Sequence, residues 1–180
     1  MADRIDVRVA HTAELDAADL ADARALLYRV FDDMAEDDWE HSLGGVHALV
    51  REDGLVVAHA SVVQRRLLHG GRAWRVGYVE GVGVEARLRG RGYGAAAMAP
   101  LERVIARAYD FGALASTDEA MAFYASRGWQ RWQGPTSALT PAGIVRTEDA
   151  DDCLFVLPGS AAALERTGEL TCDWRDGDLW

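Results

Sequence analysis

The chain has 180 residues, 49% of them hydrophobic, and a formal net charge of −10 from 29 acidic residues against 19 arginines with no lysine. That length and balance predict one globular domain over residues 1–180, and the missing lysine excludes a Schiff-base mechanism and a Walker A phosphate loop. An acidic chain repels the phosphates of a nucleic acid; with no basic leader and no window of roughly 18 apolar residues, the expectation is a cytoplasmic protein that does not engage a membrane.

Residues 5–10 (IDVRVA) alternate and predict an edge strand, and Thr12 can cap a helix over 14–31 whose apolar positions include Leu15, Leu20, Leu26, Leu27 and Phe31. The acidic stretch 32–40 (DDMAEDDWE) and Ser42-Leu43-Gly44-Gly45 predict a loop with room for a short helix. Strands over 46–51 and 55–68 flank Glu52-Asp53-Gly54, a hairpin turn by composition, and Gly70-Gly71 turns the chain into a strand over 73–84. A glycine-rich basic turn, 87–94, leads into a helix reaching Tyr109, in which Pro100 removes a donor and predicts a kink unless it lies near an end. A strand over 111–115 follows. Ser116 or Asp118 can cap a helix over 119–126 that Arg127-Gly128 ends, and strands are expected over 129–133, 154–157 and 169–174, with a loop over 135–144. The order predicts an α+β fold with a mixed, mostly antiparallel sheet flanked by helices.

The basic turn, Arg87-Leu88-Arg89-Gly90-Arg91-Gly92-Tyr93-Gly94, is an anion site by its chemistry. Glycines allow backbone N–H groups to converge, the helix behind adds partial positive charge, and the arginines add full charges. A dinucleotide fingerprint is formally matched by Gly90-x-Gly92-x-x-Ala95 with Asp110 downstream. It belongs to a repeated βαβ architecture, which this pattern of antiparallel strands lacks. Upstream, Glu80-Gly81-Val82-Gly83-Val84 puts two glycines inside a strand, a signal for a bulge or a close approach of backbone or ligand.

The five histidines show no metal-ligand spacing, and Cys153 and Cys172 read as two reduced, buried thiols, so no metal is expected. Acidic residues crowd 32–40, 148–152 and 173–180; each run alone reads as solvated surface. Trp39 interrupts the first and Trp174 and Trp180 punctuate the last. Flat apolar faces beside carboxylates predict a polycationic ligand with ring faces.

Arg87-x-x-Gly90-x-Gly92 resembles the pyrophosphate loop of the GNAT superfamily of N-acetyltransferases, whose preceding strand splays and binds pantetheine. The wider chain resembles, within that superfamily, the aminoglycoside 2′-N-acetyltransferases of mycobacterial type. The likeness runs through Asp38-Trp39-Glu40-His41, Leu43-Gly44-Gly45, Gln64-Arg65-Arg66 and Gly77-Tyr78-Val79-Glu80-Gly81-Val82 to Tyr124-Ala125-Ser126-Arg127-Gly128-Trp129. It continues in Gly134-Pro135-Thr136-Ser137, Phe155-Val156-Leu157-Pro158 and Cys172-Asp173-Trp174-Arg175 and reaches Asp178 and Trp180.

The resemblance implies acetyl transfer from acetyl-CoA to the 2′-amine of an aminoglycoside by direct attack, in a homodimer. Backbone at Val82 and Val84 would hold the acetyl and pantetheine groups, and Arg87, Arg89, Gly90, Arg91, Gly92 and Gly94 the pyrophosphate. Asp33, Asp38, Glu80, Asp152, Asp178 and the terminal carboxylate of Trp180 would meet the drug's ammonium groups, with Ser116 adding a hydroxyl. Glu80 would remove the amine's proton and Tyr124 protonate the leaving thiolate. Each has a bland rival: Glu80 as a partner of an arginine such as Arg65, Tyr124 as packing beside Phe123 and Trp129. The acceptor could instead be a polyamine, a peptide or a cell-wall amino sugar. A non-catalytic acetyl-CoA-binding module, or an acidic decoy for a basic partner, is the remaining alternative.

Overall fold

The computed structural model describes residues 5–159 and 164–180. Its contacts fall into two compact units, residues 1–63 with 79–103 and residues 64–78 with 104–180. Two long strands, β3 (Leu55–His69) and β4 (Arg72–Val84), contribute residues to both.

In the first unit β1 (Ile5–His11) lies antiparallel to β2 (Val46–Glu52), and β2 antiparallel to β3. Asp53 and Gly54 close the β2–β3 hairpin with φ of 50° and 85°, the left-handed pair that a two-residue turn needs to match strand twist. Residues 56–63 of β3 are buried without a break, so this strand is covered on both faces and its run is apolar rather than alternating.

The first helix starts later than the sequence suggests. Residues Thr12–Glu14 form a 3₁₀ turn capped by His11, and α1 (Ala17–Val30) begins after Asp16, whose carboxylate accepts from Asp19 N at 2.8 Å. Thr12 is not its cap, because the Thr12 hydroxyl is engaged with Gly44, Gly45 and His47. Ala23, Leu26 and Leu27 face inward and pack with Leu15, Trp39, Leu49 and Val56, the i, i+3, i+4 stripe of an amphipathic helix. Asp19, on the same face, takes Arg8 from β1 and Arg51 from β2, so a buried carboxylate ties the helix to both strands. A short α2 (Glu36–His41) forms inside the acidic stretch. The helix α3 (Tyr93–Ala108) continues through Pro100, which removes one backbone donor without ending it.

In the second unit the strand order is β6 (Gln130–Arg131), β9 (Leu154–Pro158), β5 (Phe111–Ala115), β4, β3, β10 (Leu170–Cys172), β7 (Thr136–Thr140) and β8 (Gly143–Arg146). Here β5 runs parallel to β4 at Val76–Tyr78 and antiparallel to β9, which pairs with β6. At the other side, β10 joins Leu67 and Leu68 of β3 antiparallel and β7 parallel. The mixed sheet with its helices is the expected α+β plan.

Three sequence expectations fail in this unit. The segment expected as a loop over 135–144 is a hairpin of β7 and β8 (Gly143–Arg146). Its polarity misleads because the inward positions are hydroxyls with built-in partners: Thr136 Oγ1 meets Asp151 Oδ1 at 2.8 Å and Ser137 Oγ donates to Glu169 Oε1 at 2.6 Å. The strand expected over 129–133 shrinks to β6, between the buried rings of Trp129 and Trp132. Neither Ser116 nor Asp118 caps α4 (Met121–Ser126): a 3₁₀ turn precedes it, and Ser116 Oγ donates to Thr117 O at 2.8 Å.

Candidate active site

The centre of the site in the first unit is Gly81, where the β4 backbone leaves the extended conformation as at a bulge. Gly81 has φ +56°, inside a strand, where a residue with a side chain is strained. A Cβ there would also lie 2.7 Å from Ser42 Oγ and 3.0 Å from Leu27 Cδ1. Two carbonyls at the bulge take side-chain donors from β3: His59 Nδ1 lies 2.7 Å from Gly81 O, and Ser61 Oγ donates to Glu80 O at 3.4 Å. Glu80 and Val82, half-buried, flank the bulge. Arg65, the arginine weighed as a partner for Glu80, is engaged elsewhere in the structure. It binds Asp173, with Nε 2.7 Å from Oδ1, and its guanidinium stacks 4.7 Å from the Tyr78 ring centre.

The strand then enters the basic turn. Gly90 and Gly92 have φ of 76° and 90°, and the first bond of α3 runs from Ala96 N to Gly92 O at 2.9 Å. First-turn amides have no acceptor inside their own helix, so this N-terminus aims donors and positive potential at the loop. Arg87, Arg89 and Arg91 are exposed around it, Arg89 Nε lying 3.4 Å from Val84 O. Gly94 falls in the first turn of the helix and Val84 at the end of β4. Strand backbone, loop and helix end are thus contiguous, as the sequence motif requires.

The acidic residues of the first unit serve mixed purposes. Asp33 is exposed, while Asp38 is half-buried and accepts from Ala35 N at 2.8 Å, capping α2. Glu36 pairs with Arg24. The expectation that Trp39 offers a ring face to a ligand is wrong. Its side chain is 6% exposed and belongs to the core, 6.3 Å from the His59 ring.

In the second unit Tyr124 on α4 is buried in an aromatic cluster with Phe123 at 5.2 Å, Trp129 at 6.1 Å and Phe155 at 6.4 Å between ring centres. Burial pushes its phenol well above the usual tyrosine value, so it carries its proton throughout the physiological range. Its ring packs beside Phe123 and Trp129, as the rival reading of this residue expects. Ser116 is buried. Asp152 is exposed and paired with Arg131 at 2.8 Å, whereas its neighbour Asp151 is structural, holding Arg146 and Thr136 and titrating far below an ordinary aspartate because of Arg146.

A cleft of about 610 Å³ opens between residues 146–150 and 177–180. Trp180 is buried against it and donates from Nε1 to Thr147 Oγ1 at 2.8 Å, while Asp178 is exposed and accepts from Trp180 N at 3.2 Å. Glu148 and Asp149 complete an acidic lining. Trp174, 50% exposed, is the tail tryptophan that does present its ring to solvent.

Both cysteines are free, with Cys172 buried and Cys153 half-buried; burial raises both thiols above their usual value, away from thiolate chemistry. Among the described residues no group of three or more His, Cys, Asp or Glu side chains could hold a metal, and no helix is long and apolar enough to cross a membrane.

Sequence reasoning set the histidines aside, and so missed His47, His59 and Ser61. All three are fully buried. The available signal was parity: 47 and 49 on one strand and 59 and 61 on its partner share a face, and polar side chains at inward positions of apolar strands need a purpose.

Residues 11–132 match the family model described as an acetyltransferase (GNAT) domain. The chain is 49% identical over 177 residues, 96% of this chain and 91% of the relative, to an aminoglycoside 2′-N-acetyltransferase of Mycolicibacterium fortuitum. Among solved structures it is similar to the GNAT family N-acetyltransferase YhbS from Escherichia coli in complex with CoA, with TM-score 0.66, 17% identity and coverage of 96% and 91% of the two chains. It is also similar to Escherichia coli ElaA, with TM-score 0.59, 20% identity and coverage of 86% and 99%. The chain belongs to the GNAT acetyltransferases, in the branch of the aminoglycoside 2′-N-acetyltransferases.

Proposed function

We propose that this enzyme transfers the acetyl group of acetyl-CoA to the 2′-amine of an aminoglycoside. The observation that carries the reading is the contiguous run of bulge, basic glycine turn and helix N-terminus in residues 80–94, which fits a thioester followed by a pyrophosphate. Backbone at Val82 and Val84 holds the acetyl and pantetheine groups; Arg87, Arg89, Gly90, Arg91, Gly92 and Gly94 hold the pyrophosphate.

The acceptor arrives as an ammonium ion. Glu80 takes one proton, and the neutral amine attacks the acetyl carbon. The tetrahedral intermediate loses its second amine proton as the C–S bond breaks, and the departing sulfur takes a proton from the Tyr124 phenol, which that second proton replenishes. Direct attack needs no covalent enzyme intermediate, in keeping with two cysteines held as thiols. Asp33, Asp38, Asp152, Asp178 and Trp180, with Ser116, recognise the drug; the exposed carboxylates suit a ligand with several positive charges.

The test is release of CoA from acetyl-CoA with tobramycin, which carries a 2′-amine, against kanamycin A, which carries a hydroxyl there. Release with tobramycin and little with kanamycin A is expected; equal release with both would move the reacting amine elsewhere, and none with either would leave an acetyltransferase for another amine. Acetylation removes a positive charge from the drug, so expression should raise the aminoglycoside tolerance of a sensitive host. We also place the enzyme in the cytoplasm as a homodimer, which light scattering would report as twice the 19.6 kDa chain mass.

A further inference from the structure

The first unit contains a column of buried polar groups that ends on the bulge. Thr12 Oγ1 lies 2.8 Å from His47 Nε2, His47 Nδ1 lies 2.9 Å from His59 Nε2, and His59 Nδ1 lies 2.7 Å from Gly81 O. At the outer end Gly44 N donates to Thr12 Oγ1 at 2.9 Å. Both imidazoles are fully buried, and burial first, then a neighbouring histidine, lowers His59 to about 3 and His47 to about 4, so both are neutral.

Neutral rings leave one consistent arrangement of protons. A carbonyl only accepts, so His59 carries its proton on Nδ1 and its bare Nε2 accepts from His47 Nδ1–H. His47 Nε2 is then bare and accepts the single Thr12 hydroxyl proton at 2.8 Å, closer than Gly45 O at 3.3 Å. Donation runs one way along the column, toward Gly81 O.

The consequence lies on the other side of that peptide. No peptide bond is cis among the described residues, so the Gly81 carbonyl and the Val82 N–H point in opposite directions. A carbonyl held inward by His59 fixes the Val82 N–H outward. We propose that His59, backed by His47 and Thr12, is a positioning residue for acetyl transfer, holding the β4 bulge so that the Val82 N–H stays aimed at the thioester oxygen. This rests on the acetyl-transfer reading for where the thioester lies. The column aligns a donor where negative charge develops and titrates no reacting atom, which makes its effect one on kcat.

The test compares His59→Leu with His59→Asn, because the asparagine amide nitrogen occupies the place of imidazole Nδ1 and can still donate to Gly81 O. Leucine should lower kcat roughly 10- to 100-fold, the scale of a displaced oxyanion donor. CoA affinity, set by the basic turn, should stay within about 2-fold, and asparagine should recover kcat to within about 3-fold. Nitrogen NMR on the wild-type protein should show His59 as the Nδ1–H tautomer from pH 8 to pH 5. The Val82 amide should shift on adding acetyl-CoA in the wild type and the asparagine variant but not in the leucine variant. Equal loss in both variants, an unaltered leucine variant, or an Nε2–H tautomer at His59 overturns the proposal. A wild type that binds acetyl-CoA and acetylates no aminoglycoside would instead count against the acceptor, and the NMR results still decide the role of His59.

Discussion

The β4 bulge in the first unit and the acidic cleft in the second are built by opposite means. At the bulge, side chains with no exposure serve the backbone: His59, with His47 behind it, and Ser61 hold the carbonyls of Gly81 and Glu80. At the cleft the backbone serves the side chains: turns at 148–150 and 177–180 display carboxylates to solvent, and Asp151 and Trp180 are tied down so that Glu148, Asp149 and Asp178 can face outward. A thioester is the same in every turnover and rewards a rigid mould. Under the proposed function, a polycation with several amines would meet exposed charges that each contribute little and can be rearranged. The comparison therefore predicts steep, local losses in the first region and shallow, distributed ones in the second.

The steepest loss should come from Gly81→Ala, which puts a Cβ at a positive φ and 2.7 Å from Ser42 Oγ. Strain and overpacking together amount to about 2–5 kcal/mol, read as a lowered denaturation midpoint with unchanged slope. Gly90→Ala should cost about 1–2 kcal/mol, since its φ is also positive but no atom lies within 4 Å of the added carbon. Equal costs at the two positions would remove the claim that the bulge is a packed mould.

Tyr124→Phe should lower kcat about 100-fold with acetyl-CoA affinity retained, because it deletes the hydroxyl and leaves the aromatic cluster intact. Unchanged turnover would reduce Tyr124 to packing.

Stability should respond to pH through the histidine column. Folded values of about 4 for His47 and about 3 for His59 lie below the ordinary histidine value, so below about pH 6.5 the unfolded chain binds more protons than the folded one. Their contribution is complete above pH 6.5 and is lost as pH falls toward the folded values, at up to about 1.4 kcal/mol per pH unit for each ring. Denaturation midpoints of wild type and His59→Asn at pH 7 and pH 5 isolate the share of His59; parallel changes would mean that it does not titrate as a buried neutral ring.

The smallest effect belongs to the cleft. Asp178→Asn should weaken aminoglycoside binding by about 0.5–1 kcal/mol and spare acetyl-CoA, and wild-type drug affinity should fall as salt rises. A tenfold or greater loss from this one exposed carboxylate would turn the distributed surface into a single anchor.

How much of this was legible in the sequence follows from the same contrast. Glycines at positive φ inside a strand and a turn announce themselves, so the backbone departures at Gly81, Gly90 and Gly92 were readable. The hairpin turns at Asp53-Gly54 and Gly70-Gly71 were readable for the same reason. Polar side chains turned inward were not. Thr136 and Ser137 made β7 look like a loop, and His47 and His59 offered no ligand spacing, because their partners are a threonine, each other and a carbonyl. Trp39 deceived in the reverse sense: an aromatic ring among carboxylates looks like a ligand platform until α2 folds it into the core. Residues such as Asp38 and Asp151 show why an acidic run cannot be apportioned from sequence alone, since one carboxylate caps a helix or binds an arginine while its neighbour faces solvent.

The most direct test of the central claim, that the chemistry is organised at the β4 bulge, is Glu80→Gln assayed for acetyl-CoA affinity and for turnover with tobramycin across pH. Glutamine keeps the shape and removes the base. Turnover should fall by about two to four orders of magnitude, with acetyl-CoA binding unchanged and part of the loss regained at high pH, where more of the amine is already neutral. Full activity in Glu80→Gln at neutral pH would contradict the account, and would place the proton acceptor outside the bulge.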